Sequence, residues 1–244
     1  MDLPPILAVT MGDAAGVGPE IVARALAQEE LHQWCRPLAI GAVDILARAG
    51  QLVGSSLTWR RVSTPAEARF QPGTVDVLDL GNLTWDQVTP GVVCPVAGKA
   101  AAEYVLKAGE LALAGEAEAV VTAPLNKDAM RQGGYHYLGH TEILAELTST
   151  PRCTTMLVTG ELRVVHVTRH VPLSQVALLI TQERVLDTIV LDGTSNEPLV
   201  HKTIDVPMTK NVYQFRLSSS ASTAYPWTCT RMDISRDPRG IGAS

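Results

Sequence analysis

ILAVTMGDAAGVGPEIVARALAQEE, residues 6–30, decides the fold class. Residues 6–11 form an apolar run rich in branched side chains and closed by glycine, the pattern of a buried strand. A glycine-rich loop, GDAAGVGPE at 12–20, follows. Pro19 is placed to open a helix, and Glu20 falls in its first turn, where the helix dipole favours a carboxylate. Further strands are predicted over 37–42, 56–62, 75–80, 119–123, 155–159 and 162–168. The clearest helix is 97–114. There Lys99, Glu103, Lys107 and Glu110 share one face and leave Ala101, Tyr104, Val105, Ala108 and Leu111 to pack. Strands alternating with helices predict an α/β fold with a largely parallel or mixed sheet.

The 244 residues are 46% hydrophobic and 18% charged, enough to bury a sizeable core in one or two domains. Lys plus Arg number 20 against 25 Asp plus Glu, a net charge of −5, the wrong sign for a nucleic-acid binder. No apolar run approaches the ~18 residues that span a bilayer, and the first residues lack the basic flank and long apolar stretch of a secretory signal. The chain therefore reads as soluble and cytoplasmic, with no membrane partner. Cys35, Cys94, Cys153 and Cys229 form no CxxC pair, which argues against a zinc knuckle or a disulfide scaffold.

In open α/β sheets, ligands gather where loops leave the carboxyl ends of strands. The glycines of GDAAGVGPE let the backbone approach a ligand, and the following helix start offers free N–H groups to an anion. The spacing is neither GxGxxG, because residue 21 is Ile, nor a P-loop, and an ordinary strand-to-helix turn has the same form. TAPLNK, 122–127, places Lys127 at the sheet mouth, where an ammonium meets a phosphate or carboxylate. Lys127 is the candidate catalytic cation, with a solvated loop lysine as the plain alternative. In YHYLGHTE, 135–142, His136 and His140 lie four apart, but Gly139 predicts a loop up to Thr141 and removes the shared helical face that a two-histidine zinc motif needs. Thr141 is expected to cap the helix EILAEL and His140 to donate a hydrogen bond to an oxyanion or phosphate, unless it is a structural histidine packed on the loop. In HVTRHVPL, 166–173, His166 is predicted to be a core histidine. His170 sits at the strand end, the place for a metal ligand or an acid/base residue. Zinc and its relatives usually need three protein ligands, so His170 requires partners from elsewhere in the fold or another subunit.

Taken together, MGDAAGVGPEI, TAPLNKDAM, GHTEILAEL and LRVVHVTRHVPL resemble the PdxA family, over residues 6–191. That family includes 4-hydroxythreonine-4-phosphate dehydrogenase of pyridoxal phosphate biosynthesis and sister dehydrogenases acting on 4-phosphorylated threonate or erythronate. The resemblance implies an isocitrate/isopropylmalate dehydrogenase-like three-layer α/β/α fold, with two domains around a cleft and a homodimer. It also implies NAD-dependent oxidation of a secondary hydroxyl on a phosphorylated hydroxy acid, followed by decarboxylation. A divalent metal (Zn, Mg or Co) would polarise the oxygen and hold the enolate charge, and nicotinamide would take the hydride. Carried over by motif, His140 and Thr141 match the family's substrate-binding pair and His170 its first metal-binding histidine. Lys127 and the glycine loop fall in family-like positions, and no cofactor-binding residue is assigned. Asn126 before Lys127 resembles the threonate or erythronate branch, because the pyridoxal phosphate branch usually has a His there. Ala14 replaces a proline common in the first loop, which loosens the turn without removing a chemical group.

The resemblance ends near Leu191. Residues 1–191 hold 25 Ala and 21 Ser or Thr, whereas 192–244 hold 3 Ala and 13 Ser or Thr, and no regular period is evident there. Family members continue with an NPHAGE-like and a YHDQG-like segment that supply the second and third metal histidines. After Leu191 the one histidine is His201, in neither context. The sequence therefore predicts the N-terminal part of a two-domain enzyme over 1–191, followed by an unrelated, poorly ordered tail over 192–244 left by truncation or a shifted reading frame. Activity is expected to be impaired by loss of the C-terminal half of the site. The alternatives are an inactive module that binds a phosphorylated ligand without metal or NAD and, last, a metal hydrolase built on His136, His140 and His170.

Overall fold

The structure, a computed structural model, describes residues 3–150, 153, 155–159, 162–168, 171–182 and 184–185, together with the strands at 202–208, 211–219 and 229–236. The chain divides into two compact units, Met1–Pro151 and Arg152–Ser244.

In the first unit the strands are β1 (Ile6–Thr10), β2 (Arg36–Ile40), β3 (Thr58–Val62), β4 (Thr74–Leu78) and β5 (Ala119–Thr122). The helices are α1 (Gly18–Leu26), α2 (Leu31–Trp34), α3 (Val43–Leu52), α4 (Pro95–Leu113), α5 (Lys127–Gln132) and α6 (His140–Leu147). The sheet runs β3-β4-β2-β1-β5 and every pairing in it is parallel. Parallel sheets are covered on both faces, which is why β2 reads as a continuous apolar run from Pro37 to Ile40, while in β4 the buried Asp76 stands among apolar residues. Leu38, Ile40, Val75 and Val77 are fully buried. Right-handed crossovers put α1 and α3 on one face and α4, which links β4 to β5 in the opposite direction along the sheet, on the other. This is the expected three-layer arrangement.

The helix predicted over 97–114 is α4. Ala101, Tyr104, Val105, Ala108 and Leu111 are all buried, and Lys99 pairs with Glu103 at 3.9 Å and Lys107 with Glu110 at 3.2 Å on the outer face. Two glycines let α5 lie directly against α4. A Cβ at Gly98 would stand 2.1 Å from the Ala129 carbonyl carbon, and one at Gly133 would stand 2.5 Å from the Pro95 oxygen. Ile143 of α6 fills a small second core with Ala102, Val105 and Met130. No helix among the described residues is long and apolar enough to cross a membrane.

The second unit contains an antiparallel pair, β6 (Met156–Thr159) with β7 (Leu162–Val165), the helix α7 (Leu173–Leu179), and an antiparallel sheet in the order β10-β9-β8. These last strands are β8 (Lys202–Met208), β9 (Asn211–Ser219) and β10 (Cys229–Arg236), and apolar residues recur along them in the sequence. The period is two: Ile204 and Val206, then Tyr213, Phe215 and Leu217, then Met232 and Ile234 alternate with polar residues or proline. Register pairs Phe215 with both Ile204 and Ile234. Pro207 stands on the edge strand β8, where a missing N–H is tolerated.

Candidate active site at the switch point of the sheet

The chain leaves β1 toward β2 on one side and returns through β5 on the other, so the loops after β1 and β5 diverge at the point where strand order reverses. Ligands in open α/β sheets bind in such crevices. Here the two loops are joined. Thr10 and Thr122 are register partners at the strand ends, the Ala123 N–H donates to the Thr10 carbonyl at 3.3 Å, and the Asp13 N–H donates to the Pro124 carbonyl at 2.9 Å. Gly12, at φ 74°, makes this possible. A Cβ there would lie 2.4 Å from the Pro124 oxygen. Asp13 Oδ1 accepts from the Ala15 N–H at 2.9 Å, and burial raises the carboxyl pKa against the lowering effect of that bond. The Gly91 N–H donates to the Ala15 carbonyl at 2.8 Å and fixes the far side of the glycine loop.

Pro19 is the second residue of α1 and Glu20 sits in its first turn, as the sequence implied. Asn126 does more than mark a turn. Its side chain caps α5, accepting from the Asp128 and Ala129 N–H groups at 2.9 and 3.0 Å. Lys127 is therefore the first residue of that helix. It is exposed, and no ion pair among the described residues involves it.

His140 opens α6, and the N-cap is Gly139, with no side-chain cap. Thr141 is consequently not the cap expected of it. It lies within the first turn and leaves that helix end with free N–H groups. The imidazole of His140 lies against the carbonyl of Ala123, so GHTE meets TAPLNK through the same residue that is tied to β1. Burial holds the His140 pKa below its ordinary value, while the Ala123 carbonyl and the Glu142 carboxylate act in the opposite sense. His140 Nε2 is buried and has no partner among the described residues.

Three of the four motifs thus converge. His136 is exposed in the loop before α6. His166, expected in the core, is exposed just beyond β7, because the strand ends at Val165 rather than 168. His170 lies outside the described residues, as does His201. Among the described residues no three His, Cys, Asp or Glu side chains stand together as a metal site. Sequence reasoning missed Asp13 and Ala123 as the joints of the site; the Asp two residues before an N–H it can cap was the available signal. It also missed a groove of about 460 Å³ beside the first loop, lined by Ala14, Pro19, Glu20, Arg48, Trp85 and Pro90 among others, in which Arg48 stacks 4.2 Å from the Trp85 ring centroid.

Residues 33–201 match the model of the pyridoxal phosphate biosynthetic protein PdxA. The chain is 48% identical over 172 residues to D-threonate 4-phosphate dehydrogenase of Cupriavidus necator, covering 70% of this chain and 51% of that protein. Two crystal structures share its fold. A 4-hydroxythreonine-4-phosphate dehydrogenase from Burkholderia phymatum superposes with a TM-score of 0.73 at 41% identity, over 81% of this chain and 61% of that one. The enzyme of that name from Klebsiella pneumoniae gives 0.73 at 37% identity, over 80% and 62%. The chain therefore spans between half and two thirds of the length of these relatives. Its motifs, its parallel sheet and the match over most of its length together establish that it belongs to the PdxA family.

Proposed function

We propose that this chain is the N-terminal part of an NAD- and divalent-metal-dependent dehydrogenase, homodimeric and cytoplasmic, that oxidises a 4-phosphorylated hydroxy acid with decarboxylation. D-threonate 4-phosphate is the first candidate substrate, because it is the substrate named for the Cupriavidus necator relative and because Asn126 precedes Lys127. The observation that carries the reading is the junction at the switch point: the loop after β1, the loop after β5 and the start of α6 meet through Asp13, Pro124, Ala123 and His140.

In this reading His140 and Thr141 bind the substrate. The uncapped N–H groups at the start of α6 and the ammonium of Lys127 face its anionic groups. When bound, NAD would supply a hydride acceptor and a divalent metal a Lewis acid for the substrate oxygen. His170 is the metal ligand this chain would offer. The described residues do not themselves form a metal site, so no step is assigned to the ion here, and the chain alone is expected to be impaired.

Calorimetry with D-threonate 4-phosphate, paired with an NADH assay in the presence of Zn, Mg or Co, tests this. Binding heat that disappears in His140→Ala, without NADH formation, is expected. Equal heats in both proteins would remove the site, and robust turnover would remove the impairment. The second reading, a phosphate-ligand binding module, requires the same heat with chelator present.

A further inference from the structure

We infer that the groove beside the first loop is a binding site for a small zwitterion, with an ammonium held by Glu20 and a carboxylate held by Arg48 on one apolar body. None of Lys127, His140 and Thr141 lines it, so binding here does not depend on the proposed function. Its walls come from three segments that hydrogen bonds hold together. The Trp85 N–H donates to Asp44 Oδ2 at 2.8 Å, which ties the 3₁₀ turn Trp85–Gln87 to the first turn of α3. The Gly91 N–H donates to the Ala15 carbonyl at 2.8 Å, which ties the same segment to the glycine loop that leads into α1. Thr84 and Gln87 close the turn on itself by a reciprocal pair of bonds. A concavity braced in this way exists before a ligand arrives, so little ordering is lost on binding.

Two charged groups line this groove, and the fold uses neither as an ion pair. Glu20 Oε2 is buried and has no hydrogen-bond partner among the described residues. The positive end of α1 accounts for a carboxylate in that turn, but an oxygen withdrawn from water without a donor is a cost that a donor removes. The side chain as a whole is half-buried, and the broad terminal torsion of a Glu lets its carboxylate turn an oxygen toward the groove. Arg48 is exposed and makes no ion pair or side-chain hydrogen bond among the described residues; its guanidinium lies 4.2 Å from the Trp85 ring centroid. Stacking fixes the plane of that group and leaves its edge donors free, the geometry that takes a carboxylate through two parallel bonds. Glu20 and Arg48 do not neutralise each other: their charged atoms stand more than 4.0 Å apart on the one groove. A lone cation would leave Arg48 unpaired, and a lone anion would leave Glu20 so. A ligand with both charges satisfies both, and its apolar body covers Pro19, Ile45 and Ala49.

Calorimetry on the full chain tests this with two zwitterions: L-phenylalanine, whose charges share one carbon, and 6-aminohexanoate, whose charges stand at opposite ends of the molecule. Their single-charge counterparts, 2-phenylethylamine with 3-phenylpropionate and hexylamine with hexanoate, are titrated beside them. At least one zwitterion is expected to bind, with its counterparts weaker by about tenfold or more, the size of one hydrogen bond to a charged group. Glu20→Gln and Arg48→Gln should each weaken that zwitterion by about the same factor. Binding of neither zwitterion overturns the inference, as does a single-charge counterpart that binds as tightly, or full affinity in either variant. The counterparts are measured on the unaltered chain, so that arm decides the matter whether or not the variants fold.

Discussion

The parallel sheet of residues 6–122 and the antiparallel sheet of residues 202–236 hold themselves together by different rules. The first is buried at its centre, where β2 is an apolar run, and its precision comes from side chains and backbones packed at close range. The second is made of antiparallel pairings whose sequence alternates apolar with polar residues. The difference teaches that a strand's sequence pattern follows the kind of pairing it enters: continuous in a central parallel strand, alternating in the antiparallel ones.

The contrast predicts different sensitivities. Gly98→Ala should cost about 3 kcal/mol, because the new methyl meets the backbone of α5 rather than a movable side chain; urea unfolding of the first unit measures it, and an unchanged midpoint would break the contrast. Phe215→Pro should remove a ladder N–H from the central strand β9 and loosen the second sheet, read as faster amide exchange across β8–β10. Unchanged exchange would show that this pairing does not hold the sheet. Tyr104→Phe should stabilise the first unit by about 1 kcal/mol. The Tyr104 hydroxyl is buried without a partner among the described residues, and burial, then Asp79, Glu103 and Asp44, raise its pKa. Asn126→Ala should cost about 1 kcal/mol through loss of the α5 cap, seen as faster exchange of the Asp128 and Ala129 amides.

The smallest effect is one of pH. His140 titrates below its ordinary 6.5 in the folded chain. Between the folded and unfolded values the unfolded state binds more protons, so stability rises with pH through that window and is lost as pH falls below 6.5. Melting temperatures of the chain and of His140→Gln across that window should diverge on the acid side, with the variant showing the shallower slope.

Most of the first unit was legible because its signals are local. The glycine loop, Pro19 and the charged face of α4 each announce a boundary or a face within a few residues, and all five buried positions assigned to α4 are buried. What was not legible depends on distant partners. The cap of α6 passed to Gly139, and His166 was exposed by an early strand end, matters decided by tertiary fit rather than by spacing. No spacing rule reveals that Asp13 is bonded to Pro124 or that Ala123 faces His140.

The order in which the sheet closes gives the site a place in time. β1 finds β2 among its near neighbours in the chain, but its other flank waits for β5; the Ile6 N–H and the Glu118 carboxylate that join just ahead of that pairing are 112 residues apart. Such distant pairing is slow, because loop-closure entropy is lost before the contact forms. On a ribosome the glycine loop is made almost first and its partner loop only after most of the first unit has emerged. The Asp13–Pro124 bond therefore records the closing of the first unit's sheet, and the junction of its two loops is among the last features of that unit to form.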